Sequence, residues 1–512
     1  MSLPFLLDCT LRDGGYYNAW DFDKKVVDEY IAAVNDLPID YIEVGYRNNP
    51  QSEYLGKYAY CPVYELAEIR RKSAKKIAIM LNEKDVTPPD LAVLLDPIKG
   101  LVDMARVAVD PKNLDRALIL GTEIKKRGFL VSFNIMYMSK WDEYEGFYDK
   151  LTSLNSIVDI LYMVDSFGGV FPETVRETIF RLKEKTDCSI GFHCHNNLEL
   201  GLINTLTAID NGADYVDATV LGMGRGAGNL KTELLLTYLN KYYDLDVDFN
   251  KLGNVITIFS ELLRKYNWGT NLPYMISGAY SIPQKDVMAL VDNRRYSFNS
   301  IIRALDNKKD NIDDNAKYPV LNPVKYDQVI IIGGGINAAL HADAVKEMIK
   351  QFPSAALIHA TARNAVYYKE VTVPQYICLV GSEGKRVNTV FPDGDFEGKC
   401  VLPPYPRKMG TEVPDFLQLK TYELQNIEFT TEYHDSCTTV ALQTAACFCD
   451  GDIFLIGYDG YKGNVLSEKE AALIHENRLL ISDFKRFYKR SLLSLTPSLY
   501  KELDIRSVYQ YI

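Results

Sequence analysis

Histidine is scarce in this chain of 512 residues: there are six, and the first 340 positions hold only two of them. Long apolar runs are missing as well. None approaches the roughly 18 residues that a membrane-spanning helix needs, which excludes a helical membrane protein. The N-terminal residues Met1 to Asp8 lack the basic region of a signal peptide. The nine cysteines are odd in number and show no framework spacing, so a disulfide scaffold is excluded and a reducing cytoplasm is expected. Cys447-Phe448-Cys449 has no second pair to complete a metal knot and reads as core packing. Lysine and arginine form no concentrated stripe, and the net charge is -11, so no nucleic-acid partner is expected. What remains is the composition of a soluble globular protein, 47% hydrophobic and 24% charged. Its length predicts two to four domains.

The two histidines of the first 340 residues lie one residue apart, in Ser189-Ile190-Gly191-Phe192-His193-Cys194-His195-Asn196. Residues i and i+2 of a strand share a face, so both imidazoles project together from the strand exit and Cys194 faces the other way. That is the spacing of a divalent-metal clamp, or of two strand-end histidines satisfied by their neighbours.

The first 240 residues alternate short apolar runs with longer amphipathic stretches. Strands are predicted at Pro4–Cys9, Tyr41–Gly45, Lys76–Leu81, Val102–Val107, Leu130–Ile135, Ile160–Val164, Ser189–His193 and Tyr215–Thr219. Helical patterns lie between them, as at Asp23–Asn35, Asn113–Arg127 and Glu173–Lys185. Eight β-then-α units predict an α/β fold, a (β/α)8 barrel with its site at the C-terminal strand ends. Those ends are polar: Asp8-Cys9-Thr10-Leu11-Arg12-Asp13-Gly14-Gly15, Glu43-Val44-Gly45-Tyr46-Arg47, Asn134, Asp165-Ser166-Phe167-Gly168-Gly169, the histidine pair, and Gly222-Met223-Gly224-Arg225-Gly226-Ala227-Gly228-Asn229.

Asp13 adds a carboxylate to His193 and His195, and Asn229 offers a carbonyl oxygen. Such a set chelates a 2-oxo acid and stabilises the enolate formed when a bond beside the carbonyl breaks. Arg12 is expected to hydrogen-bond the developing oxyanion.

The stretches Asp8 to Gly15, His193 to Asn196 and Gly222 to Asn229 resemble the three signatures of the DRE-TIM metallolyases. That superfamily includes 4-hydroxy-2-oxovalerate aldolase, isopropylmalate and homocitrate synthases, and hydroxymethylglutaryl-CoA lyase. The resemblance covers residues 4 to 240. It implies Asp13, His193 and His195 as metal ligands, Asn229 as a ligand in some branches, and Arg12 as the enolate-stabilising arginine. It also implies Glu43 as a carboxylate supporting Arg12, and Ser166 as a binder of the substrate carboxylate. Asn134 and Arg47 are further substrate-binding candidates. The glycine-rich loop lacks the lyase cysteine and looks most like that of the pyruvate aldolases. One divalent ion is implied, Mn2+ or Mg2+ first and Co2+ or Zn2+ next, acting on a small 2-oxo acid in a homo-oligomer. The aldolases place a histidine base after the RDG motif. Here Tyr16 and Tyr17 stand in that region, and either of them, or a metal-bound water, can relay the proton. The expected activity is carbon-carbon lysis of a 4-hydroxy-2-oxo acid through a metal-stabilised pyruvate enolate. The alternatives are a Claisen-type condensation with acetyl-CoA, or a non-catalytic nucleotide- or sugar-binding protein with a retired barrel.

A catalytic domain is expected over 1–305, including a helical extension with patterns at Val255–Tyr266 and Gln284–Val291. A polar linker is expected over 306–322 and a Rossmann-like α/β domain over 323–512. The last opens with an apolar strand, Gly333-Gly334-Gly335 and a helix. The triplet is either a tight βα turn or a place where backbone amides meet a phosphate. Gly334, Asn337, Ser436 and Asp459 are the candidate contacts for a nucleotide or nucleotide-sugar. The segments around Ser436 and Asp459 resemble Rossmann-like domains of bacterial surface-polysaccharide proteins, including sialyltransferase-like folds.

Overall fold

The computed structural model describes residues 3–291, 296–312, 316–407, 409, 411–462 and 467–512. Two compact units divide the chain, Met1–Ala289 and Leu290–Ile512. The helix Phe298–Lys309, which sequence patterning attached to the barrel, falls in the second unit, where Arg303 bonds Glu412 at 2.5 Å. It also takes up the start of the segment expected as a linker; residues 313–315 of that segment lie outside the described residues. Among the described residues, no helix is long and apolar enough to cross a membrane.

The first unit is a closed eight-stranded parallel barrel. Its strands are β1 Phe5–Asp8, β2 Tyr41–Tyr46, β3 Lys76–Asn82, β4 Met104–Val109, β5 Leu130–Ile135, β6 Ile160–Asp165, β7 Ser189–Cys194 and β8 Tyr215–Ala218. Closure is made by β1 on β8, with Phe5 opposite Tyr215 and Asp8 opposite Ala218. The outward faces, rich in Val, Ile and Leu, pack against the surrounding helices in the main core. The inward faces change character along the barrel. A lower layer that includes Leu7, Tyr41, Ala78, Met104, Ile160 and Tyr162 is apolar or aromatic. Two residues further on, the same alternation turns Glu43 and Arg106 inward, and above Tyr215 it turns Asp217. The barrel therefore carries its charge toward the C-terminal mouth, with Arg106, Glu43 and Asp217 all at least 98% buried.

The second unit is an eight-stranded, all-parallel sheet. Its strands are β9 Gln328–Ile332, β10 Ala355–His359, β11 Gln375–Cys378, β12 Lys399–Leu402, β13 Thr421–Glu423, β14 Ile453–Ile456, β15 Leu492–Ser494 and β16 Asp504–Ile505. The order β13-β12-β11-β10-β9-β14-β15-β16 reverses direction at β9. That is a doubly wound topology, in which the crevice beyond the carboxyl ends of the strands on either side of the reversal is the usual ligand position.

Candidate active site

Six side chains close a ring across the barrel mouth. Arg12 bonds Asp13 through Nη1, and its Nε donates to Glu43 at 2.9 Å. Arg106 donates to the same Glu43 oxygen at 2.9 Å and to Asp217 at 2.6 Å. Asp217 accepts from His193 Nδ1 at 2.8 Å, and His193 Nε2 faces Asp13 at 3.6 Å. A fully buried guanidinium is costly unless every donor is answered. Arg106 meets that demand with Glu43, Asp217, the Asn134 side-chain oxygen at 3.1 Å and the face of Tyr162 at 4.3 Å.

The ring sets the protonation of its members. Burial pushes Asp13 up, but Arg12, His193, His195 and the Asn229 bond outweigh it and hold the carboxyl down at about 2. Asp217 is likewise lowered, because Arg106 and His193 overcome its burial. An ionised Asp217 can only accept, so His193 donates from Nδ1 and turns Nε2 toward Asp13. His195 is fixed in the same way, donating Nδ1–H to the Asp165 carbonyl at 2.7 Å. Burial and the neighbouring His193 push it down to about 3, so it is neutral at ordinary pH.

These residues fit a divalent ion. Both imidazoles have their Nδ1 atoms spent on oriented acceptors, the arrangement that fixes histidine ligands in metal sites. Their ring centroids lie 5.2 Å apart. Asn229 donates Nδ2 to Asp13 at 2.7 Å, while its Oδ1 is buried without a hydrogen-bond partner. Cys9 also reaches the cluster, with its sulfur 3.6 Å from Asp13. Burial, with Asp13 and Asp217 nearby, raises that thiol well above its usual range, so it serves Asp13 as a neutral donor.

Above the ring lies a cavity of about 370 Å³, lined by Arg12, Asp13, Asn134, Ser166, His193 and His195 among others. Ser166 accepts the Tyr137 N–H at 2.8 Å, which leaves its hydroxyl proton to give. Tyr16 and Tyr46 also line it, with their hydroxyls 2.9 Å apart and Trp20 edge-on to both rings. Arg225 completes this wall, its guanidinium 3.8 Å from the centre of the Tyr16 ring.

Two expected site residues are directed elsewhere. Arg47 gives its donors to the carbonyls of Leu94, Tyr60, Cys61 and Val93 and does not line the cavity. The cause is a register shift in β2, where Glu43 and Tyr46 oppose Ala78 and Met80 of β3. The extra residue reverses side-chain parity, so Tyr46 and not Arg47 turns into the mouth. Gly45 makes the bulge feasible, because a Cβ there would run into the Tyr58 carbonyl. Tyr17, one helical step from Tyr16, packs on Tyr266 and Trp268 and donates to the Gly226 carbonyl at 3.2 Å. It supports the glycine-rich loop and lies outside the cavity lining.

Sequence reasoning missed Arg106, Asp217, Tyr46 and Arg225. The first two had a signal: each is the lone charge inside an apolar strand, in Met104–Val109 and Tyr215–Ala218.

In the second unit, Gly334, Ser436 and Asp459 line adjoining cavities of about 570 and 330 Å³ beyond the ends of β9, β10 and β14. Asn337 does not line them. Its N–H is taken by the Asp459 carboxylate at 3.0 Å, so the helix start after the glycine triplet already faces an acid. Gly333 and Gly335 are demanded by packing, since a Cβ at either would press on the Gly457 carbonyl. The tight-turn reading of the triplet accounts for them, and a phosphate at that helix end would meet a carboxylate. Ser436 caps the helix Cys437–Phe448 and bonds Glu476.

The HMGL-like family model matches residues 113–258, the half of the barrel that carries the histidine pair and the glycine-rich loop. The 4-hydroxy-2-oxovalerate aldolase of Pelotomaculum thermopropionicum is 31% identical over 284 residues, covering 51% of this chain and 77% of the relative. An oxaloacetate decarboxylase of Mycobacterium tuberculosis is 29% identical over 246 residues, covering 46% of this chain and 70% of the relative. Among solved structures, the N-terminal domain of a proposed aldolase from Bacteroides vulgatus is 62% identical, with a TM-score of 0.57. That likeness covers 59% of this chain and 99% of the other. The chain thus belongs to the DRE-TIM metallolyases, on the branch of the 4-hydroxy-2-oxovalerate aldolases.

Proposed function

We propose that the barrel cleaves a 4-hydroxy-2-oxo acid to pyruvate and an aldehyde, with one divalent ion held by Asp13, His193, His195 and Asn229. The observation that carries this reading is the orientation of His193 by Asp217, which turns Nε2 toward Asp13 at 3.6 Å. A divalent ion bound there polarises the 2-oxo group and so favours the enolate of pyruvate. The mixed nitrogen and oxygen donors suit Mn2+ or Mg2+, and also admit Co2+ or Zn2+.

The chain's own groups do the rest. Arg12, fixed by Glu43 and Asp13 through Nε and Nη1, has Nη2 left to donate to the developing oxyanion. Ser166 and the Asn134 amide donate to the substrate carboxylate. In the cleaving direction the C3–C4 bond breaks with its electron pair on C3, the C4 hydroxyl loses its proton, and C3 is then protonated. We assign Tyr16, hydrogen-bonded to Tyr46, as the relay in place of the aldolase histidine: it takes the C4 hydroxyl proton as it gives up its own, and one proton is returned at C3. A coupled pyruvate-release assay run beside a thiol-release assay with acetyl-CoA tests this. Pyruvate release that depends on added metal supports it; thiol release alone, or neither product, overturns it.

For the second unit we propose a nucleotide or nucleotide-sugar in the crevice beyond β9, β10 and β14. The support is its position at the topological reversal, with Arg363 on the seam of both cavities. Thermal shift of the full chain with UDP, CMP, ADP and GDP tests it. A stabilising shift lost in Arg363→Ala supports the reading, and no shift with any of the four rejects it.

A further inference from the structure

Among the described arginines around the barrel mouth, Arg225 stands apart in having all of its donors open. Arg12 is tied to Glu43 and Asp13, Arg106 to Glu43, Asp217 and Asn134, and Arg47 to four carbonyls. Arg225 is half-buried and lies flat on Tyr16, yet it makes no hydrogen bond or ion pair with any described residue. Its position is held from both sides. The Gly226 carbonyl accepts from Tyr17 and from the Gly269 N–H at 3.2 Å each, and the Ala227 N–H donates to Gln284 at 3.3 Å. Tyr16 beneath it is fixed by Tyr46 and Trp20. The ordering of this cation is therefore complete before any ligand arrives, and its five N–H donors need an acceptor. Lys84 and Lys285, both exposed, share the cavity rim with it. The acids of the same rim are engaged, Glu83 with Arg116 and Asn113, and Asp110 with the Lys112 N–H.

We infer that Arg225 is a specificity-determining residue that binds an anionic group on the aldehyde half of the substrate, so that the substrate is a 4-hydroxy-2-oxo acid with a second carboxylate or a phosphate at its far end. This rests on the aldolase reading, since Tyr16, the residue assigned to the C4 hydroxyl, is the one Arg225 covers. The pyruvate half has its own donors in Arg12, Asn134 and Ser166. A planar guanidinium lying on an aromatic ring keeps its edge free for the paired oxygens of a carboxylate or phosphate.

The test compares kcat/KM for pyruvate release from 4-hydroxy-2-oxovalerate, 4-hydroxy-2-oxoglutarate and a 4-hydroxy-2-oxo acid ending in phosphate. The wild type is expected to favour an anionic substrate over the methyl-ended one by about 10- to 100-fold, the range of a hydrogen bond to a charged group. The carboxylate and phosphate arms identify the anion. The ratio should collapse toward one in Arg225→Gln and survive in part in Arg225→Lys. A wild type without charge preference, or an Arg225→Gln variant that slows all substrates equally, overturns the inference. Calorimetric binding of 2-oxoglutarate against 2-oxovalerate, in the presence of Mn2+, gives a readout independent of turnover. A 2-oxoglutarate preference lost in Arg225→Gln, in protein that releases no pyruvate, upholds the anion subsite and rejects aldol cleavage. Pyruvate release without charge preference in either measurement does the reverse.

Discussion

His193 gives its Nδ1 proton to Asp217 across 2.8 Å, and that bond decides which nitrogen faces Asp13. Asp217 is in turn held ionised by Arg106, which answers Glu43 and, through it, Arg12. The proposed metal ligand His193 and the proposed oxyanion donor Arg12 thus share one buried network.

Asp217→Asn would still accept or donate, but it no longer fixes the His193 tautomer or answers Arg106 with a charge. Loss of such an outer partner lowers metal affinity by about 10- to 100-fold. Titration of the chelator-treated protein with Mn2+, followed by calorimetry, is expected to show that drop, and unchanged affinity would remove Asp217 from this role.

Arg106→Leu leaves the buried Glu43 with Arg12 alone and the buried Asp217 with His193 alone, each short of the charge that answered it. Breaking a buried pair in this way costs about 3–5 kcal/mol. All three tryptophans, Trp20, Trp141 and Trp268, lie in the first unit, so tryptophan fluorescence during urea unfolding of the full chain reports that unit selectively. The variant's fluorescence midpoint should move to markedly lower urea.

Tyr16→Phe keeps the ring under Arg225 and removes the hydroxyl. If Tyr16 carries the C4 hydroxyl proton, kcat falls by about 10²- to 10⁴-fold, the usual size of general acid–base assistance. Tyr46→Phe should have a smaller effect and shift the pH dependence of kcat. Full activity in Tyr16→Phe would move the relay elsewhere.

His195 makes the apoprotein sensitive to acid. With its folded pKa pushed down to about 3 from an ordinary 6.5, the native state binds fewer protons than the unfolded chain between those values. Its contribution to stability is complete above pH 6.5 and is lost as pH falls, by about 1.4 kcal/mol per pH unit. Asp165 works in the opposite sense. Burial outweighs its backbone hydrogen bonds and raises it to about 6, so the native state gains a proton first as pH falls below that. Comparison of the metal-free wild type with His195→Gln isolates the histidine. The wild type's fluorescence-detected stability should fall more steeply from pH 7 to pH 5 than the variant's.

The barrel was legible because its strands are buried, apolar and regularly spaced. The predicted Leu130–Ile135 coincides with β5, and most other ends differ by one or two residues. Asp13, His193, His195 and Asn229 were legible because strand parity and loop position alone bring them to one mouth. Arg47 was misread because a bulge cannot be seen in an alternation pattern, and one inserted residue exchanges Arg47 for Tyr46. In the second unit the sequence also places strands at 355–359, 375–380 and 452–457, where β10, β11 and β14 lie, and misses β13, β15 and β16, which at two or three residues are too short for periodicity to register. Asp459 at the helix start after Gly335 is a contact across 122 positions, invisible to any local motif.

On the proposed reading, Asp13 and His193 hold a divalent ion on which pyruvate release depends. Metal content and pyruvate release measured on the same Mn2+-dialysed preparations test it directly. One Mn2+ per chain is expected in the wild type, with Asp13→Asn and His193→Ala losing both metal and turnover while remaining folded. Equal metal content in all three, or wild-type pyruvate release that persists after complete chelation, would contradict it.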